Sequence, residues 1–155
     1  NVGEMKYVRD RVNIPIATGE RLYTKFPFYE LVKADAVDVL QPDIANAGGI
    51  TELKKIAAIA EARHVSMAPH NTCSAVGTMA ECQLDVTMTN FLIQEYHAQF
   101  YSPWYIDAFE GFPVQKDGYI TLPEGPGLGI IPNDELIAAH GYVPPKSGRR
   151  GGRRI

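Results

Sequence analysis

The chain has 155 residues, 45% hydrophobic and 21% charged, enough for one domain with its own core. No run approaches the ~18 consecutive apolar residues of a membrane span. The net charge of −3 is uneven: residues 146–155 hold five of the 15 basic residues and no acidic one, leaving a body too acidic for a nucleic-acid-binding domain.

EMKYVRDRVN, before Ile14, reads as the helix of a strand–helix unit already under way when the chain begins. It carries no signal-peptide pattern. From Ile14 a strand, loop and helix recur. IPIATGE (14–20) is a short β-prone run, followed by a helix in which Phe28, Leu31 and Val32 share a face. VDVLQPD (37–43) is the second run. After the turn NAGG, the stretch TELKKIAAIAEARH places Leu53, Ile56, Ala57 and Ala60 on one side, with Thr51 as the expected N-cap. VSMAPH (65–70) is the third run, and GTMAECQLDV the third helix, with Met79, Cys82 and Val86 on its apolar face. FLIQEY (91–96) is the fourth. Strands alternating with helices imply an α/β fold with a parallel sheet.

Beyond Tyr96 the pattern breaks into an aromatic loop (FYSPWYIDAF), a hairpin expected around DGYITLPEGPGLGI, and a short helix at NDELIAAH. We expect three parts: the repeated units (1–98), an extension packing on them (99–143) and a basic, disordered tail (144–155). Cys73 and Cys82 match neither a CxxC nor a zinc spacing, consistent with a reducing cytoplasm.

Each of the four runs ends in an ionisable residue: Glu20, Asp43, His70 and Glu95. Any one of them could be a helix cap or turn former. Four in register favour an active site at the carboxyl ends of parallel strands. Adjacent strands lie about 4.8 Å apart, so Asp43 and His70 can share a hydrogen bond. A carboxylate on one imidazole nitrogen fixes the tautomer and makes the other nitrogen a general base. Glu95, if protonated, can hydrogen-bond an oxygen where negative charge develops. Glu20 suits a hard divalent cation. His97 follows the fourth strand at the mouth and is a candidate substrate contact. His64 at a helix end and His140 in the last helix read as structural or surface residues. EGPGLG (124–129) lacks the lysine and the strand-then-helix context of a phosphate loop and reads as a hairpin turn.

The stretches IPIATGERLYT, VLQPDIANAGGITELKKIAAIAE, MAPHN, NFLIQEY and GPGLGI resemble the mandelate racemase-like branch of the enolase superfamily, over nearly all of residues 12–131. The successive intervals Glu20 to Asp43, Asp43 to His70 and His70 to Glu95 are 23, 27 and 25 residues, and the last of them with the GERLYT phrase looks most like its galactonate-type sugar-acid dehydratases. The resemblance implies the C-terminal half of a (β/α)₈ barrel, strands five to eight, with an extension contributing to the cap. It implies Glu20 as a Mg²⁺ ligand, Asp43 and His70 as the catalytic dyad, and Glu95 against the substrate carboxylate or its enediolate. Muconate-cycloisomerase-like relatives place a lysine on the sixth strand, where this chain has QPD ending in Asp43. The implied reaction removes the C2 proton of a small-molecule sugar acid and expels its 3-hydroxyl. A racemase using the same dyad is the alternative, and a non-catalytic half-barrel that pairs with itself is another.

A homo-oligomer is expected of the full-length protein, and composition and charge point to no membrane or nucleic-acid partner. The resemblance also calls for further metal ligands, an acid or second base, four earlier strands and a capping domain that these residues do not include. On that basis the 155-residue chain by itself is expected to be inactive. Whether the aromatic run with Phe100, Tyr101, Trp104 and Tyr105 covers the mouth, with Trp104 touching substrate, or fills core under a loop is left open by the sequence.

Overall fold

A computed structural model describes residues 1–141, so the expected tail and the last two residues of the extension lie outside the described residues. Helix α1 (Val2–Arg9) is capped by the Asn1 side chain and ends on an ion pair from Arg9 to Asp38, 2.8 Å long. The next elements are β1 (Ala17–Thr18), α2 (Lys25–Lys33), β2 (Val39–Leu40), a single-turn α3 (Ile44–Ala47), α4 (Gly49–Glu61), β3 (Ser66–Met67) and α5 (Ala75–Asp85). The strands pair in parallel in the order β1-β2-β3, with Ala17 opposite Val39 and Val39 opposite Ser66. Helices α2 and α4 connect successive parallel strands, the arrangement of part of a (β/α)₈ barrel.

The core lies between that sheet and its helices. Phe28, Leu31 and Val32 of α2 and Leu53, Ile56, Ala57 and Ala60 of α4 are buried with Leu40 and Met67, as their spacing predicts. Each large member contributes about 1.5–3 kcal/mol by leaving water. Three expectations need correction. Thr51 lies inside α4 and does not cap it, because Gly48 (φ 118°) and Gly49 (φ 81°) turn the chain two residues earlier. Val86 falls past the end of α5 and is exposed, whereas Met79 and Cys82 are buried. The fourth run pairs through one bridge, Met67 with Phe91, and Leu92 and Ile93 are exposed. Pairing on one edge only gives that run too little support to continue as a strand.

In the extension, α6 (Pro103–Asp107) is followed by β4 (Phe109–Glu110), β5 (Gln115–Lys116), β6 (Tyr119–Ile120), β7 (Ile131–Pro132) and α7 (Asp134–Ala139). A tight hairpin joins β5 to β6 through Asp117 and Gly118, both at positive φ. The glycine cluster is a turn closed by Gly129 N–H on Pro126 O, not a hairpin turn, because β6 and β7 pair with different strands. Among the described residues no helix is long and apolar enough to cross a membrane.

Candidate active site

Parallel pairing brings the ends of β1, β2 and β3 to the same side of the sheet, and the predicted residues follow those ends. Gly19 makes the first approach possible: at φ 149°, a Cβ there would sit 2.8 Å from the Gln41 backbone and from the Phe28 ring. Glu20 then emerges beside Asn46, whose side chain donates to the Glu20 carbonyl.

Asp43 is almost fully buried, and its two oxygens face different partners. Its Oδ1 accepts from Ala45 N–H (2.8 Å) and Asn46 N–H (2.9 Å), capping α3. Its Oδ2 lies 2.9 Å from His70 Nδ1, across a parallel bridge between the two residues. The outer nitrogen of the ring, Nε2, lies 3.2 Å from Glu20 Oε2 and 3.8 Å from Glu95 Oε2. Glu95 in turn accepts from Asn71 N–H (2.8 Å) and contacts His97 Nε2 (2.8 Å). The structure therefore gathers Glu20, Asp43, His70, Glu95 and His97 into one connected cluster.

Burial would push the Glu95 carboxyl up, but the hydrogen bonds from His97 and Asn71 and the nearby imidazoles hold it below its ordinary value. In the free site this favours the carboxylate form, so the donor role open to a protonated Glu95 calls for a further charge beside it. Cys73 Sγ is 3.5 Å from Asp43 Oδ2. Burial and the charges of Glu81 and Asp43 push its thiol up to about 12. A thiol held protonated beside the dyad is a weak donor to Asp43 and not a nucleophile.

Trp104 is placed differently. Its ring stacks on His140 with centroids 4.2 Å apart and meets Tyr105 edge-on. Tyr101, Tyr105, Phe109 and Phe112 form an edge-to-face group, and Tyr101 Oη donates to Cys73 O while Tyr105 Oη accepts from Ala75 N–H. This aromatic run secures the loop after His70 at the start of α5. Sequence reasoning missed two acids on α5, Glu81 and Asp85, both buried. The available signal was their spacing, three residues after Thr78 and Cys82 on the face that packs inward.

Glu20 does not make a Mg²⁺ site from these residues. One of its oxygens faces Arg21 (3.1 Å) and the other His70, and its side chain is 48% exposed. Among the described residues no three His, Cys, Asp or Glu side chains come together in a metal-holding group. Magnesium needs several converging oxygens, and among the described residues Glu20 does not meet two further ligands in such a group.

The family described as enolase C-terminal domain-like matches residues 1–136. The chain is 36% identical over 135 residues to the D-xylonate dehydratase of Haloferax volcanii, covering 87% of this chain and 32% of that protein. It is 40% identical over 126 residues to the D-gluconate/D-galactonate dehydratase of Picrophilus torridus, covering 81% and 32%. Among solved structures, a mandelate racemase/muconate lactonizing enzyme-like protein from Rubrobacter xylanophilus superposes with a TM-score of 0.85 at 39% identity, over 92% of this chain and 36% of that one. A putative dehydratase from Mesorhizobium loti gives 0.83 at 36%, over 92% and 38%. The chain spans about a third of the length of the curated relatives it matches. With a match over most of its length, a parallel sheet in the expected order and the strand-end residues in register, this chain belongs to the enolase C-terminal domain-like family and forms part of its (β/α)₈ barrel.

Proposed function

We propose that this chain is the part of a sugar-acid dehydratase that supplies the general base. The observation that carries the reading is the 2.9 Å contact between His70 Nδ1 and Asp43 Oδ2, with Nε2 turned to the side where Glu20 and Glu95 converge. Asp43 keeps the proton on Nδ1, so the lone pair sits on Nε2. His70 Nε2 takes the C2 proton, and the electron pair it leaves delocalises into the carboxyl group as an enediolate. That pair then expels the 3-hydroxyl as the C3–O bond breaks, with a proton from an acid outside these residues completing water. The resulting enol becomes a 2-keto-3-deoxy acid.

Glu95, ionised in the free site, is raised by a second negative charge beside it. Binding of the substrate carboxylate thus favours its protonated form, which can donate to the developing enediolate. His97, hydrogen-bonded to Glu95, is the proposed second contact, and Trp104 is proposed to act at one remove, by packing the extension. A divalent cation would stabilise the enediolate charge, and Glu20 is the single ligand we assign to it from this chain. The substrate class follows the names of the relatives, which are dehydratases of D-xylonate, D-gluconate and D-galactonate.

The test is a graft. Residues 1–141 replace the matching stretch of the Picrophilus torridus relative, and the product is assayed with Mg²⁺ and D-gluconate or D-galactonate in D₂O. We expect a 2-keto-3-deoxy acid, lost in His70→Asn, and no product from the 155-residue chain by itself. Exchange of the C2 proton without loss of water would favour a racemase, and turnover by the chain alone would contradict the single-ligand reading of Glu20.

A further inference from the structure

The carboxyl of Glu81 takes no part in the proposed reaction, yet it is fully buried and reaches two elements far away in sequence. Its Oε1 accepts from Ile44 N–H at 3.0 Å, and its Oε2 from Gln94 Nε2 at 3.1 Å. The same Gln94 nitrogen lies 3.2 Å from Pro69 O and 3.0 Å from Glu95 O. Ile44 follows Asp43, Pro69 precedes His70, and Gln94 precedes Glu95. Two touching side chains thus grip the backbone next to three of the four strand-end groups.

The contact with Ile44 completes an account of donors. The first turn of a helix leaves its N–H groups without partners inside the helix. In α3, Asp43 Oδ1 takes Ala45 and Asn46, and Asp43 O takes Ala47. Ile44 N–H is the one left, and Glu81 satisfies it. Fixing that N–H fixes the peptide plane after Asp43, and with it the direction from which the carboxylate meets His70. On the other side, Gln94 ties the peptide before His70 to the carbonyl of Glu95, holding those two strand ends together.

The chemistry of the group suits the task. Burial, with the charges of Asp43 and Asp85 adding to it, pushes the Glu81 carboxyl up to about 9. At neutral pH it is an uncharged acid, able to accept from Ile44 without setting a second anion behind Asp43.

We propose that Glu81, acting with Gln94, is a positioning residue that holds Asp43, His70 and Glu95 in register from behind the strand ends. The proposal rests on the dyad reading above. It assigns no contact with substrate to either side chain.

The test is nuclear magnetic resonance of the full 155-residue chain with ¹⁵N-labelled histidine. It follows the low-field His70 Nδ1–H and its exchange with water, and circular dichroism checks the fold. Glu81→Leu removes both acceptors, Gln94→Met removes the donor and keeps Glu81, and Asp85→Asn changes a buried acid one turn away that holds neither strand end. We expect exchange at least about tenfold faster in Glu81→Leu and in Gln94→Met, and unchanged in Asp85→Asn. In the graft, Glu81→Leu is expected to lower kcat about 10–100-fold at nearly constant KM, as loss of an outer orienting bond does.

A folded Glu81→Leu with the wild-type resonance and exchange rate overturns the proposal. If Glu81→Leu does not fold, unaltered exchange in Gln94→Met overturns it instead. Absence of a protected Nδ1–H in the wild type overturns the dyad reading itself, a failure distinct from either variant result.

Discussion

Asp43→Asn in the grafted enzyme is expected to lower the rate of dehydration by roughly 10³–10⁴-fold while the fold survives. Asparagine caps a helix as well as aspartate, so the bonds from Ala45 and Asn46 to Oδ1 can persist. The loss is on the other branch. An amide nitrogen in the place of Oδ2 presents N–H to His70 Nδ1, which then becomes an acceptor, and the ring proton moves to Nε2. The nitrogen that should take the C2 proton is already protonated. A wrong tautomer at a carboxylate-held histidine costs about this much in hydrolases with the same pairing. Asp43→Ala should lose similar activity and, in addition, about 1 kcal/mol of cap. The measurement is kcat at saturating sugar acid beside thermal unfolding. An Asn variant within tenfold of the parent would mean that the Asp43–His70 bond is structural only.

Asp85→Asn is expected to stabilise the chain at alkaline pH and to do little at acid pH. Asp85 is 6% exposed, burial pushes its carboxyl from the ordinary 3.8 up to about 7, and its Oδ1 has no hydrogen-bond partner among the described residues. The folded state therefore holds the proton more tightly than the unfolded state. The associated stability is fully present below about 3.8 and is lost as pH rises through about 7. By pH 8 the ionised, buried group costs on the order of 4 kcal/mol. Glu81, raised to about 9 mainly by burial, acts in the same direction and continues the decline.

Glu52, Asp38 and Glu95 are lowered, so their effect appears only near and below their ordinary range. Urea unfolding at pH 5 and pH 8 separates the two groups. We expect the wild type to be weaker at pH 8, and Asp85→Asn to recover about 2–4 kcal/mol there. Equal stability of the two proteins at pH 8 would show that Asp85 is solvated in the folded chain.

The residues of the candidate site were legible because they sit at repeating positions. Strand-end placement of Glu20, Asp43, His70 and Glu95 follows from hydrophobic runs of similar length, and parallel pairing does the rest. At Asp43 a helix cap and a contact with His70 need not compete, because a carboxylate has two oxygens and each takes one partner.

What the sequence hid depends on partners remote along the chain. Spacing on α5 places Glu81 on the inward face, but its partner, the Ile44 N–H, lies 37 residues earlier, and no local pattern announces that pairing. The ionised state of Glu95 depends on His97 and on the Asn71 backbone. Trp104 stacks on His140, 36 residues later, a partner that no local spacing announces. The short fourth run has apolar residues suited to a strand, but length in a strand comes from pairing on both sides, and Phe91 pairs on one.

The central claim, that Asp43 holds His70 as a base poised to take a proton at Nε2, has a direct test in the 155-residue chain. The ¹⁵N shifts of the two His70 ring nitrogens, measured at a pH where the ring is neutral, report which one carries the hydrogen. Protonated Nδ1 with a bare Nε2 is the result this account requires. A proton resident on Nε2, or shifts averaged between the two forms, would contradict it.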